Sequence, residues 1–154
     1  MAILIEGDKA PNFSGIDQNG ESLSLDMYKG KKVILYFYPK DNTPGCTDEA
    51  CNLRDNYQDL LKKGLDVIGV SPDSAASHKK FIEKFDLPFR LISDPEKVIL
   101  KNYNAWGEKK MYGKSYDGVL RKTYIISENQ TIEKIFEKVK TKDHTNQIYQ
   151  ELKI

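Results

Sequence analysis

Apolar residues fall along this chain in short blocks separated by polar turns. The densest block, Val33-Ile34-Leu35-Tyr36-Phe37-Tyr38, is a continuous run of β-formers. It predicts a strand buried on both faces, at the centre of a sheet. Ahead of it, residues 10–25 carry Phe13, Ile16, Leu23 and Leu25 on either side of Asn19-Gly20, the signature of a tight β-hairpin. Behind it, Ala50, Leu53, Tyr57, Leu60 and Leu61 recur at helical intervals, predicting one helix over residues 46–63 that Gly64 caps. Residues 65–71 read as a second strand. Residues 74–85 read as a second helix, with Ala75, Phe81, Ile82 and Phe85 on its apolar side. A short strand ending in a turn is expected over 88–95, and a brief helix from Glu96 to Tyr103. Residues 104–117 mix Gly, Lys and aromatics without a period and read as loop. Two strands, 121–126 and 131–136, flank a turn as a hairpin, and 143–152 closes the chain as a helix.

Strand, helix, strand, helix implies parallel pairing through right-handed crossovers. With the hairpins at both ends, the order is that of an α/β, thioredoxin-like fold: an N-terminal β-hairpin and a central mixed sheet flanked by helices. The 154 residues suit a single domain, 1–154. Lys and Arg number 24 against 23 Asp and Glu, a net charge of +1, which argues against nucleic acid or acidic lipid as partner. The N-terminus does not read as a secretory signal, and no apolar stretch approaches the roughly 18 residues of a membrane span. The expected location is cytoplasmic. There a pair of cysteines is more often catalytic or redox-sensing than structural. Two cysteines also exclude a disulfide scaffold and argue against a zinc site made of thiolates.

Both cysteines follow the central strand, in Pro39-Lys40-Asp41-Asn42-Thr43-Pro44-Gly45-Cys46-Thr47-Asp48-Glu49-Ala50-Cys51. Pro44-Gly45 interrupts the chain just before the helical pattern, so Cys46 is expected in the first turn. There unpaired backbone N–H groups and the helix dipole favour an anion, and Cys46 is expected to be substantially ionised near neutral pH. The alternative is a buried cysteine acting as a small hydrophobe. Cys51, five residues on, would lie about 140° around the helix with its Cα roughly 8 to 9 Å away. A disulfide needs Cα atoms closer than about 7 Å, so a bond between the two would require the first turns to unwind. The alternative is that Cys51 is simply a core residue on the inner face of the helix.

The segment from Pro39 to Cys46 resembles the Pro-x-x-x-Thr-x-x-Cys signature of peroxiredoxins. Thr43-Pro44-Gly45-Cys46-Thr47-Asp48-Glu49-Ala50-Cys51 is similar to the bacterioferritin comigratory protein (peroxiredoxin Q) branch. The resemblance continues in Val67-Ile68-Gly69-Val70-Ser71-Pro72-Asp73, in Trp106-Gly107-Glu108-Lys109-Lys110-Met111-Tyr112-Gly113 and in Gly118-Val119-Leu120-Arg121-Lys122-Thr123-Tyr124, covering nearly the whole chain. It implies a thiol peroxidase for hydrogen peroxide and organic hydroperoxides, with no metal or other cofactor. Cys46 matches the peroxidatic cysteine that becomes a sulfenic acid, and Cys51 the resolving cysteine that closes an intrachain disulfide. Thr43 matches the threonine that orients peroxide and thiolate, though its hydroxyl also suits a turn. Pro39 matches the proline that shields the sulfur, and Arg121 the arginine that stabilises it. Thioredoxin or a similar dithiol protein is the implied reductant, and a monomer or weak homodimer the expected assembly.

The chain departs from the family pattern after Ile126, where Ser127 and Asn129-Gln130 replace an Asp and a following Gly; this touches hairpin geometry rather than catalysis. His78 and His144 match no catalytic position and read as exposed helix residues. Trp106 and Tyr112 are expected to pack rather than gate a pocket, and Lys109-Lys110 to be a solvated pair. Two rivals remain: a disulfide reductase, whose Cys-x-x-Cys is absent, and a peroxide-sensing switch that binds a partner without turnover.

Overall fold

The computed structural model describes residues 3–154. The densest apolar block forms β3 (Lys32–Phe37), whose side chains alternate between two cores, as the period of a strand dictates. Val33, Leu35 and Phe37 face one cluster, and Ile34, Tyr36 and Tyr38 the other. β3 pairs in parallel with β4 (Leu65–Ser71), and β4 in parallel with β5 (Arg90–Ser93). On its other side β3 pairs antiparallel with β8 (Lys122–Ile126), which pairs antiparallel with β9 (Ile132–Phe136). The N-terminal hairpin, β1 (Ser14–Ile16) and β2 (Ser22–Ser24), extends the other edge, giving the order β2-β1-β5-β4-β3-β8-β9. The expected mixed sheet with an N-terminal hairpin is therefore present.

One face is covered by α1 (Pro44–Asp55), α2 (Tyr57–Lys62), α3 (Ala75–Phe85) and α5 (His144–Leu152), through Ala50, Leu53, Leu60, Phe81 and Ile148. The other is covered by the first hairpin, a 3₁₀ turn (Leu25–Tyr28) and α4 (Val98–Asn102). Gly69 in β4 faces the helix-covered core of α1, α2, α3 and α5: a Cβ there would lie 2.6 Å from Leu91 Cδ2 and 2.9 Å from the Tyr36 ring. Its lack of a side chain lets Tyr36 lie flat on the sheet, stacked on Tyr38 with centroids 5.4 Å apart.

Four expectations need correction. The helix over 46–63 is two helices, broken at Asn56, whose side-chain amide donates to Asn52 O at 2.8 Å and competes with the helical ladder. Residues 104–117 are not loop. They form most of an antiparallel pair, β6 (Trp106–Met111) and β7 (Lys114–Val119), joined by Tyr112-Gly113, both at positive φ. This ribbon stands apart as its own sheet, and β7 is largely exposed, so no apolar alternation marks it. Trp106 packs against the core as expected, but Tyr112 is 96% exposed at the turn. Finally, His78 and His144 are fully buried rather than exposed, because each ring nitrogen of both finds a polar partner inside.

Candidate active site

β3 ends at Phe37, and the chain leaves the sheet through Tyr38 and the half-buried Pro39, which has no N–H to continue the ladder. Thr43 is extended (φ −97°, ψ 156°) and its carbonyl accepts the first helical bond, from Thr47 N at 2.8 Å, while Pro44 supplies the preset φ of a first helical residue. Cys46 is therefore the third residue of α1. Its backbone N–H is one of the donors that the helix leaves unpaired. The side chain is 1% exposed.

Arg121, immediately before β8, reaches across to α1. Its Nη2 donates to Cys46 Sγ at 3.2 Å and its Nη1 to Glu49 Oε1 at 2.8 Å. Gly45 lies against this guanidinium: a Cβ there would meet Nη2 at 3.4 Å, an ordinary contact. The two residues that sequence alone could only place far apart thus meet.

Glu49 is fully buried. Burial pushes its carboxyl up to about 7, against the lowering influence of Arg121. Among the described residues its Oε2 accepts no hydrogen bond, and it lies 3.7 Å from His144 Nε2. Gln147 fixes the tautomer of that histidine. Its Oε1 accepts from Lys140 N at 3.0 Å and its Nε2 donates to Lys138 O at 2.7 Å, so His144 Nδ1 must be the donor in its 2.9 Å bond to Oε1. Nε2 then accepts from Thr123 Oγ1 at 2.9 Å. Burial lowers His144 to about 4, helped by the charge of Arg121, leaving it neutral. Behind Cys46 stands Tyr36, whose phenol burial pushes up, with the negative charges of Glu49 and Cys46 adding to the effect.

Of the residues predicted for the site, Cys46 and Arg121 are in contact. Thr43 caps the helix by its backbone, and its hydroxyl donates to Lys40 O at 2.8 Å, the turn bond that its residue type suits. Cys51 is half-buried in α1, and both cysteines are free. Burial raises its thiol, partly offset by Arg54. Sequence reasoning missed Glu49. Its signal was present, since a carboxylate three residues after Cys46 shares the helix face of Cys46, Ala50 and Leu53, where only a paired or neutralised acid survives.

Comparison with known proteins places the chain in a family. Residues 6–135 match the model of the AhpC/TSA family. The chain is 45% identical to a putative peroxiredoxin bcp of Haemophilus influenzae, over 96% of each chain. It is 44% identical to peroxiredoxin Bcp of Escherichia coli K12, over 99% of this chain and 98% of that one. Among solved structures, the bacterioferritin comigratory protein of Xanthomonas campestris, from a study of its alkyl peroxide reduction activity, superposes with a TM-score of 0.85 at 32% identity, covering 92% of this chain and 90% of the other. With a buried cysteine at a helix start, an arginine on its sulfur and these relatives over nearly its full length, the chain belongs to the AhpC/TSA family, as a thiol peroxidase of the Bcp or peroxiredoxin Q kind.

Proposed function

We propose that Cys46 is the residue that attacks peroxide and Cys51 the one that resolves the product. The observation that carries this is the 3.2 Å bond from Arg121 to Cys46 Sγ at the start of α1, which favours negative charge on a sulfur otherwise sealed from water. The thiolate attacks one oxygen of the hydroperoxide, forming the S–O bond as the O–O bond breaks. Sulfur loses two electrons, and the released oxygen takes up a proton and leaves as water or an alcohol. Arg121 faces the charge that develops on those oxygens. With its hydroxyl hydrogen committed to Lys40 O, Thr43 offers its lone pairs to the O–H of the peroxide. Pro39 limits water beside the sulfur. The sulfenic acid at Cys46 then reacts with Cys51: the S–S bond forms, the S–O bond breaks and water leaves. A dithiol protein such as thioredoxin restores both thiols by exchange.

Hydrogen peroxide and organic hydroperoxides are the substrates in this reading, supported by the alkyl peroxide reduction named for the Xanthomonas relative. Two free cysteines suit a reducing cytoplasm, and the chain would act as a monomer or weak homodimer. Among the described residues no helix is long and apolar enough to cross a membrane. Peroxide consumption coupled to thioredoxin, its reductase and NADPH tests the activity: turnover no higher than that of Cys46→Ser would overturn it. Mass analysis after one equivalent of peroxide should find a Cys46–Cys51 bond, and Cys51→Ser should hold Cys46 as sulfenic acid. An intermolecular bond in the unaltered chain would refute the intrachain route.

A further inference from the structure

A second buried polar cluster lies beside residues 39–43 and takes no part in the chemistry above. His78, on α3, is fully buried, and the side chain of Asp41 is 5% exposed. His78 Nε2 lies 2.9 Å from Ile92 O, and a carbonyl only accepts, so Nε2 carries a hydrogen. Nδ1 lies 2.7 Å from Asp41 Oδ2, so a second hydrogen must lie between ring and carboxyl, whichever atom holds it. The remaining capacity of Asp41 is also used. Tyr38 donates to Oδ1 at 2.6 Å, Ser77 donates to Oδ2 at 2.8 Å, and the Asp41 backbone N–H donates to Asp73 Oδ2 at 2.7 Å. Its neighbour Asn42, at φ 61°, is held by Lys84 Nζ at 3.2 Å.

These bonds tie the loop to Tyr38 just after β3, to the segment after β4 and to α3, whose His78 in turn reaches β5, and none of them reaches α1. Two residues later the loop becomes the cap of α1, and three more bring Cys46. The tie therefore fixes where the helix begins without holding the helix itself. This matters because a bond between Cys46 and Cys51 requires the first turns to unwind. Arg121 and Glu49 must then release the moving turn, whereas Asp41 need not move.

We propose that His78, through Asp41, is a positioning residue: it anchors the loop in front of Cys46, sets Thr43 and the first turn of α1 for attack, and stays closed while the following turns unwind and refold. The proposal rests on the peroxidase reading above. A broken anchor penalises attack, which needs near-ångström placement and loses about a hundredfold for an error of that size. It spares resolution, which needs the turn to be open.

The test is rapid quench and mass spectrometry on the full chain, measuring the second-order rate of Cys46 oxidation by hydrogen peroxide and the first-order rate of disulfide formation that follows. His78→Leu should slow oxidation at least tenfold and leave disulfide formation unchanged or faster. His78→Gln, which keeps one donor for Asp41, should recover part of the loss. A merely structural role would lower the unfolding midpoint and leave the ratio of the two rates alone; an unchanged ratio overturns the proposal. Should His78→Leu not fold, Asp41→Asn carries the test by the same criterion. If the unaltered chain itself forms no Cys46–Cys51 bond, the cycle falls and the anchor with it. A normal cycle with an unchanged ratio in the variants removes the anchor alone.

Discussion

Replacing Glu49 by glutamine should reveal two opposing titrations buried behind Cys46. In the folded chain Glu49 is raised from 4.5 to about 7, so between those values the folded state holds a proton that the unfolded state has lost. Stability from this group is complete below pH 4.5 and is lost as pH rises to about 7. At 1.36 kcal/mol per pH unit the change amounts to about 3 kcal/mol. His144 runs the other way. It is lowered from 6.5 to about 4, so its contribution is complete above pH 6.5 and is lost as pH falls to about 4, again about 3 kcal/mol. The two nearly cancel in the unaltered chain. Glu49→Gln removes one and leaves the other, while its amide keeps an acceptor for Arg121 Nη1. Urea unfolding of both proteins in reductant, from pH 4.5 to pH 8, should show the variant gaining about 3 kcal/mol relative to the parent across that range. A difference that stays level with pH would refute the placement of a neutralisable acid at this site.

Arg121→Ala should lower the second-order rate with peroxide by roughly 100- to 1000-fold, about 3 to 4 kcal/mol of transition-state stabilisation, read by stopped-flow kinetics. A rate within threefold of the parent would contradict its role. Gly69→Ala forces a Cβ to within 2.6 Å of Leu91 Cδ2 and 2.9 Å of the Tyr36 ring. Overpacking of this kind costs about 1 to 3 kcal/mol, visible as a lower denaturant midpoint at constant m-value.

The elements legible in the sequence were those whose apolar pattern has one unambiguous cause. The run from Val33 to Tyr38 is buried on both faces, and the Asn19-Gly20 hairpin, the glycine cap at Gly64 (φ 81°) and the terminal helix each follow from a local rule. Cys46 was legible for the same reason, since Pro44-Gly45 marks a helix start. What escaped was set by tertiary partners. The β6–β7 ribbon pairs with itself and buries little beyond its base, so its exposed strand carried no alternation. His78 sits among Ser77, Lys79 and Lys80, which read as surface, and only the arrival of Asp41 and Ile92 O explains its burial. His144 needed Thr123 from β8 and Gln147 from its own helix. The contact of Arg121 with Cys46 spans 75 residues, a distance that no local rule bridges.

The break at Asn56 sets a limit on how far a disturbance in the first helix can travel. Helical order is cooperative along an unbroken ladder, so melting that starts at one end tends to spread to the other. Here α2 forms a separate unit with Leu60 fully buried in the core, and Asn52, near the end of α1, is held to Thr145 N of α5 and to Lys142 O just before it. In the proposed cycle the cost of closing Cys46 onto Cys51 is therefore confined to about two turns of backbone. On that proposal a firebreak of one residue would let a sheet-covering helix melt and re-form at every turnover while the core beneath α2 stays closed.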